Sequence, residues 1–288
     1  MRLVTFAGPG GVPRPGALVA GGVLDLVAAV PDGPATLVEA LDAGPEVRAA
    51  VADPDPAHVR PREAVRLLAP VRPGSLLCVG YNYRGHTAQD DPEHPDVFAK
   101  ATSAVVGPED DVLLPRAGTE VDYEAELAVV IGRTAHDVTE ADALAHVGGY
   151  TVLNDVSARD WQRRSSQWVL SKSFDTFAPL GPAVVTPDEV PDPQDLTVEA
   201  RVNGSLTLSG STRDQVFGVA RLVSYVSQVV TLRPGDVIAT GTPQKLPHVL
   251  DRGPRWLRPG DVVEITVSGI GTLRSRVSAA LSTSSSSH

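Results

Sequence analysis

Short apolar runs broken by Gly, Pro and polar clusters set the rhythm of this chain, and the period that recurs is that of strands rather than helices. Near the start, Leu3–Phe6, Ala17–Ala20 and Val23–Leu26 are separated by Gly and Pro turns and read as a β-meander. An amphipathic helix is expected over Thr36–Ala52, and Asp53-Pro54-Asp55-Pro56 then breaks regular structure. A fresh strand at Ser75–Val79 opens the larger part of the molecule. Further strands are expected at Leu127–Gly132, Tyr150–Leu153, Thr197–Val202, Val237–Ala239, Val262–Val267 and Leu273–Val277. Two helices stand out: one begins at Thr139, where Thr-Glu-Ala-Asp makes a capping signature. The other spans Arg213–Val230, with Val216, Ala220, Val223 and Ser227 near helical spacing. Leu-Arg-Pro-Gly-Asp-Val occurs twice, at 232–237 and 257–262, each copy a Pro-Gly turn launching a strand. The pattern predicts an α+β, β-rich fold without regular βαβ alternation, which disfavours doubly wound and TIM-barrel architectures. It divides into a small N-terminal β-rich unit (1–70), a main domain (71–280) and a Ser-rich tail expected to be disordered (281–288).

Composition narrows the function. The net charge of −10 makes the chain a poor partner for nucleic acid. No apolar run approaches the ~20 residues that span a bilayer, and the first residues lack the apolar stretch of a secretory signal. A cytoplasmic protein with no membrane partner is therefore expected. The single Cys78 excludes an internal disulfide framework and a Cys-based zinc site. Arg has displaced Lys almost everywhere: only Lys100, Lys172 and Lys245 remain among 25 basic residues. A lysine retained against such a bias is a candidate for a role that needs a compact amine, although chance survival explains any one of them equally well.

Several segments carry candidate chemistry. In Val121-Asp122-Tyr123-Glu124-Ala125-Glu126-Leu127, read as a strand, Asp122, Glu124 and Glu126 share one face. Glu124 and Glu126 then lie ~6–7 Å apart at the backbone. Like charges that close destabilise a bare strand, and a divalent cation reverses the sign of that term. An all-oxygen donor set favours Mg²⁺, Mn²⁺ or Ca²⁺ over zinc. A solvent-facing acidic edge is the plainer alternative. Asn154-Asp155-Val156-Ser157-Ala158-Arg159-Asp160-Trp161-Gln162 follows an apolar strand, where Asp155 would be either a site residue or a helix cap. Lys172, in Leu170-Ser171-Lys172-Ser173-Phe174-Asp175, would stabilise an oxyanion or sit on the surface. Val79-Gly80-Tyr81-Asn82-Tyr83-Arg84-Gly85-His86 presents a histidine beyond a strand end, and Thr240-Gly241-Thr242-Pro243 offers hydroxyl and backbone donors to an anion.

Taken in order, these segments resemble the fumarylacetoacetate hydrolase superfamily from about Ser75 to Val277. The matching motifs are Gly-x-Asn-Tyr-x-x-His, Phe98-Ala99-Lys100, Asp-Tyr-Glu-x-Glu-Leu, Asn-Asp-x-Ser-Ala-Arg-Asp-x-Gln, Lys-Ser-Phe-Asp and Thr-Gly-Thr-Pro. The resemblance implies a mixed β-roll or flattened barrel and a homodimer. By that resemblance Glu124, Glu126 and Asp155 are metal ligands for Mg²⁺ or Mn²⁺, with Ca²⁺ as a third candidate. Lys172 and His86 are catalytic, His86 lying on a mobile lid, and Arg159, Gln162 and Thr242 bind substrate. It further implies a small-molecule keto acid substrate, such as a β-dicarbonyl or 2-oxo acid. This would undergo acylpyruvate- or fumarylacetoacetate-type hydrolysis or oxaloacetate-type decarboxylation through a metal-stabilised enolate.

The sequence departs from that pattern at four places. Gln89 stands where hydrolytic members carry the Glu that orients the lid histidine, although Asp90, Asp91 or Glu93 lie close enough to substitute. Ser171 and Ala101 replace a Gly and a Pro. Lys245 replaces a Gly beside the substrate loop, and is expected to face solvent rather than a substrate carboxylate. Gln89 favours an isomerase, tautomerase or specialised biosynthetic enzyme as the alternative function. A non-catalytic binding paralogue is disfavoured, because all three metal carboxylates and Lys172 are present.

Overall fold

The computed structural model describes residues 1–42, 44–85, 91–253 and 255–280. The N-terminal part holds strands β1 (Arg2–Ala7), β2 (Pro13–Val19) and β3 (Gly22–Asp25), then helices α1 (Leu26–Ala29), α2 (Leu37–Leu41) and α3 (Pro45–Ala52), then β4 (Val59–Arg60) and β5 (Leu67–Leu68). β1, β2, β3 and β4 pair antiparallel in sequence order, as a meander should. The single helix expected over Thr36–Ala52 is two. Thr36 caps α2 by accepting from the Glu39 amide, and α3 starts afresh with Gly44 extended and Pro45 in its first turn. Proline has no N–H to give and its ring clashes with a preceding helical turn, so the apolar periodicity cannot run through it.

The main part continues with β6 (Leu76–Gly80), β7 (Asp96–Lys100), β8 (Val105–Val106), β9 (Val112–Leu113), β10 (Val121–Asp122), β11 (Ala125–Ile131), α4 (Glu140–Ala143), β12 (Val147–Asn154), β13 (Ser157–Ala158), α5 (Arg159–Gln162), α6 (Val169–Lys172), β14 (Ala178–Val185), β15 (Thr197–Val202), β16 (Ser205–Ser211), α7 (Val219–Ser227), β17 (Val237–Ala239), α8 (Pro247–Leu250), β18 (Val262–Val267) and β19 (Gly271–Ser278). Among the described residues the largest sheet runs β4-β3-β2-β1-β14-β12-β11-β17-β6-β7, with β5 attached to β1 and β8 to β14. The N-terminal meander is thus continuous with the main sheet through the antiparallel pairs Arg2↔Val185 and Leu3↔Val184. A second sheet, β16-β15-β18-β19-β9, packs across β11, β12 and β14. Every residue of β11 and β12 is buried, which explains why these strands read as continuous apolar runs instead of alternating ones. The outcome is the β-rich, mixed fold with few helices that the pattern predicts. No helix among the described residues is long and apolar enough to cross a membrane.

The helix expected over Arg213–Val230 begins six residues later, at Val219. The intervening chain is claimed by Asn82. Its carbonyl accepts from the Val216 amide at 2.9 Å, and its side chain exchanges hydrogen bonds with the Phe217 amide (2.9 Å) and carbonyl (3.0 Å). A tertiary bond has overridden helical spacing. The helix at Thr139 forms as expected, capped by the threonine hydroxyl on the Asp142 amide.

The repeated hexapeptide makes the same turn twice. Gly235 and Gly260 sit at φ 90° and 93° behind their prolines, a type II arrangement that favours glycine there. In each copy the aspartate closes the turn: Asp236 and Asp261 accept from the amides of Arg233 (2.8 Å) and Arg258 (2.9 Å). Asp236 also accepts from the Ser75 amide at 2.7 Å and so fastens the start of β6 to the start of its parallel neighbour β17. Asp236→Ala leaves two amides without their partner and should cost about 1–3 kcal/mol, read as a fall in the urea midpoint. An unchanged midpoint would show that the turn holds without its aspartate.

Candidate active site

The carboxylates converge because one strand breaks. The run from Val121 to Ile131 is not continuous: β10 pairs with β13, β11 pairs with β12, and Tyr123 and Glu124 lie between them unpaired. Two bonds to the facing strand fix the break. The Glu124 amide donates to the Asn154 side-chain oxygen at 3.2 Å, and the Asp155 amide donates to the Glu124 carbonyl at 3.0 Å. As a result Glu124, Glu126 and Asp155 bring one oxygen each to within 4.8 Å of one another. Asp155, read either as a site residue or as a helix cap, is fully buried, and α5 is capped by Ala158 instead.

Cations surround the acids. Lys172, at the end of α6, places its Nζ 2.8 Å from Glu124 and 2.6 Å from Asp155. Lys100, at the end of β7, donates to the other Asp155 oxygen at 2.5 Å and to the Val156 carbonyl at 3.0 Å. Arg159 bridges Glu124 (2.6 Å) and Asp122 (3.0 Å) and donates to the Gln162 side chain at 2.9 Å. Glu126 is met by the Gly241 amide at 2.7 Å. Gly241 adopts φ 92°, and a Cβ there would lie 2.9 Å from that of Asn82 and 3.0 Å from the Val79 carbonyl, so no other residue brings this amide so close.

These neighbours sort the charges. Burial alone would raise the pKa of Glu124, but Lys172 and Arg159 outweigh it and hold the carboxyl well below its usual range. For Glu126, burial, then Asp155 and Glu124, outweigh Lys172 and the Gly241 amide and push its pKa well above the ordinary value. Burial opposes the charge on Lys172, yet Asp155 and Glu124 prevail and hold it firmly as an ammonium. For Lys100 burial wins and lowers the pKa despite Asp155.

The other residues singled out from sequence are distributed as follows. Arg159, Gln162, Thr242 and Lys172 line one cavity of about 1000 Å³. Lys245 corrects its expectation: rather than facing solvent it pairs with Asp122, lies 4.5 Å above the Tyr123 ring, and lines the same cavity. The placement follows from backbone: Lys245 bridges Leu208, and the Leu246 amide donates to the Thr207 carbonyl at 2.9 Å. His86 and Gln89 lie outside the described residues. Lys100 and Asp122 were not picked as site residues; the scarcity of lysine was the signal that pointed to the first, and the shared strand face to the second.

Three carboxylates within ligating distance, two buried and Glu124 half-buried, fit a hard divalent cation, whose charge would remove the repulsion that perturbs Glu126. Fold and site together fit an enzyme whose carboxylates could hold a divalent metal ion. The Fumarylacetoacetate (FAA) hydrolase C-terminal family matches residues 75–278. The chain is 47% identical over 267 residues to the mitochondrial oxaloacetate tautomerase FAHD2B of Bos taurus, covering 89% of this chain and 84% of that protein. Among solved structures, the fumarylacetoacetate hydrolase of psychrophilic Exiguobacterium antarcticum superposes with TM-score 0.83 at 39% identity, covering 97% of this chain and 99% of that one. The maleylpyruvate hydrolase of Sphingobium sp. SYK-6, in complex with manganese (II) and pyruvate, gives TM-score 0.81 at 31% identity over 98% and 100% of the two chains. The chain belongs to the fumarylacetoacetate hydrolase family.

The electrostatics predict a metal-dependent stability. Because the Glu126 pKa is raised on folding, the metal-free fold should lose stability as pH rises from the ordinary glutamate range through that raised value. Mg²⁺ or Mn²⁺ should restore it as a rise in Tm. Glu126→Gln should flatten the pH dependence and abolish the metal-induced rise. A variant stabilised by Mg²⁺ as strongly as the parent would remove Glu126 from the ligand set.

Proposed function

We propose that Glu124, Glu126 and Asp155 hold one Mg²⁺ or Mn²⁺ ion, and that the chain converts 2-oxo acids of the oxaloacetate type through their enolates. The observation that carries this reading is the convergence of three carboxylate oxygens within 4.8 Å, with the Lys172 ammonium 2.8 and 2.6 Å from two of those carboxylates. A divalent cation in that triad supplies Lewis-acid polarisation of the substrate oxygens and offsets enolate charge. Ca²⁺ fits the same donors less selectively, since it tolerates more ligands and looser geometry.

The chain's own residues supply the rest. Lys172, held as an ammonium, stabilises negative charge on the enolate oxygen and stands ready to donate a proton. Arg159 presents its guanidinium to the cavity beside Gln162, where a planar carboxylate is best received. Thr242 adds a hydroxyl to the cavity lining. Phe98, whose ring lies 5.2 Å from the Lys172 Nζ, and Trp168, in edge contact with it at 5.3 Å, supply apolar surface beside the ammonium, which strengthens the charge interactions there. In tautomerisation a proton leaves the enol oxygen and one is added to the adjacent carbon, so no co-substrate is needed. In decarboxylation the electron pair of the breaking C–C bond stays on the enolate as CO₂ departs. Hydrolysis of an acylpyruvate additionally requires a base to activate water, the role proposed for His86.

Charge balance supports a dianionic substrate. Asp122, Glu124, Glu126 and Asp155 face Lys100, Lys172, Arg159 and Lys245. With all of them ionised the cluster is neutral, and one divalent cation leaves the double positive charge that a dicarboxylate cancels. The same proposal takes the enzyme as a cytoplasmic homodimer, with residues 71–280 as the catalytic domain behind the 1–70 unit.

The test is the ketonisation and decarboxylation of oxaloacetate and the hydrolysis of an acylpyruvate, each with Mg²⁺ and with Mn²⁺. Metal-dependent ketonisation is expected, and Lys172→Met should lower kcat by roughly 10²–10³. Because Gln cannot stabilise an imidazolium, Gln89→Glu should raise acylpyruvate hydrolysis relative to oxaloacetate turnover. A flat ratio in a parent that already hydrolyses acylpyruvates well would instead establish the hydrolase reading. Turnover independent of any divalent ion would overturn the proposal.

A further inference from the structure

Lys172 and Arg159 reach Glu124 by direct ion pairs, and Lys100 and Lys172 reach Asp155 in the same way. Glu126 is oriented differently: the Gly241 amide donates to its Oε2 at 2.7 Å. A backbone N–H points only where its peptide plane points. What fixes the plane between Thr240 and Gly241 therefore decides how this carboxylate stands among the others.

That plane is held from its far edge. A trans peptide sets its C=O and its N–H on opposite edges. On the edge away from Glu126, the Thr240 carbonyl accepts from Asn82 Nδ2 at 2.8 Å. The Asn82 amide, the 240–241 peptide and the Glu126 carboxylate thus form one chain of hydrogen bonds, and bonds in such a chain polarise one another. Asn82 is itself firmly seated. It is 1% exposed, and its side chain also meets the Phe217 carbonyl at 3.0 Å and the Phe217 amide at 2.9 Å. Thr240 is fastened to β11 as well: its amide and its hydroxyl both donate to the Leu127 carbonyl, at 3.0 and 2.9 Å. The same hydroxyl accepts from Gln215 Nε2 at 2.8 Å, and Gln215 is steadied by Gln194 at 2.8 Å.

The position needs such a clamp. Gly241 sits at φ 92°, and a Cβ there would lie 2.9 Å from that of Asn82, so the packing of Asn82 demands glycine. Glycine in turn makes rotation of the adjoining peptide plane easy. Turned by half a revolution, the peptide would present its carbonyl oxygen to Glu126, one acceptor against another, and the buried carboxylate would lose its donor. Asn82 both requires the glycine and supplies the bond that opposes the rotation.

We propose that Asn82 is a positioning residue for the metal site, acting through the 240–241 peptide to orient Glu126 as a ligand. The inference rests on the reading of the three carboxylates as a metal site, and adds to it a neutral side chain that makes its contact with Thr240 across 158 positions of sequence.

The experiment titrates Mn²⁺ into the full chain by calorimetry and, in the metal-free protein, follows exchange of the Gly241 amide by NMR. Asn82→Leu keeps the approximate shape and the net charge and removes the bond to Thr240. It should weaken Mn²⁺ binding by about 10–100-fold and speed Gly241 exchange by about tenfold or more. Asp236→Ala loosens the start of the same strand, β17, and is the stability control: it should lower the urea midpoint and leave Mn²⁺ affinity at the parent's value. Thr240→Val removes only the hydroxyl anchor and should move both readouts the same way by a smaller factor, which decides the matter if Asn82→Leu does not fold. Mn²⁺ affinity unmoved in whichever of these two variants folds, or weakened as much by Asp236→Ala, overturns the clamp while leaving the triad reading intact. A parent that binds no Mn²⁺ overturns the triad reading, and the clamp with it.

Discussion

The constraint on which the rest depends is the burial of carboxylates. Asp155 is fully inaccessible, Glu126 is 1% exposed and Asp122 is 5% exposed. Unpaired charges in such places cost several kcal/mol each, and a fold tolerates them only by bringing opposite charge or hydrogen-bond donors to them. Much that is unusual nearby answers this demand. Lys100 and Lys172 take one oxygen each of Asp155. The break between β10 and β11 turns Glu124 toward Lys172 and Arg159 instead of leaving it opposite a neighbouring strand. The left-handed Gly241 delivers an amide to Glu126. Glu126 nonetheless keeps a raised pKa, so the protein's own cations do not complete the balance. That shortfall is what a divalent cation among the three carboxylates would make up.

Strands whose apolar character is local were legible. Thr197–Val202, Val237–Ala239 and Val262–Val267 form with the bounds their residues suggest. β14 was not, because Ala-Pro-Leu-Gly-Pro-Ala-Val-Val carries two prolines and a glycine that read as loop, yet it joins the N-terminal meander to the main sheet. β7 mixes Asp96 and Lys100 with apolar residues, and in β16 leucine alternates with serine and threonine only over Ser205–Ser209 before Gly210 ends the pattern. The shortened α7 has a different cause. Its residues have helical spacing throughout, but Val216 and Phe217 bend onto the distant Asn82, which takes their backbone hydrogen bonds.

The candidate site follows the same division. The shared face of Asp122, Glu124 and Glu126 could be read from alternation alone, and the scarcity of lysine marked Lys100, Lys172 and Lys245 before any contact was known. Their different environments could not be read. Lys172 and Lys100 touch the same aspartate, yet one is held charged by two carboxylates while the other is outweighed by its own burial. Lys245 was expected in solvent because nothing in the 240–245 stretch announces Asp122, 123 residues earlier in the chain, as its partner. Period and composition report which surface a residue faces; they do not report which charge waits there.

The relatives sharpen where specificity must lie. One with 47% identity is called an oxaloacetate tautomerase, and a structural neighbour at TM-score 0.81 is a maleylpyruvate hydrolase. Proteins so alike in fold but different in reaction must be separated by features outside the shared framework. In this chain the cavity is also bordered by Gly80 and Tyr81 at the end of β6, and by His248, Leu250 and Trp256. A negatively charged protein with a positively lined cavity also focuses its field there, drawing anions to the mouth while repelling them elsewhere. The cavity lining outside the triad is therefore where proteins of this fold can differ in reaction and substrate.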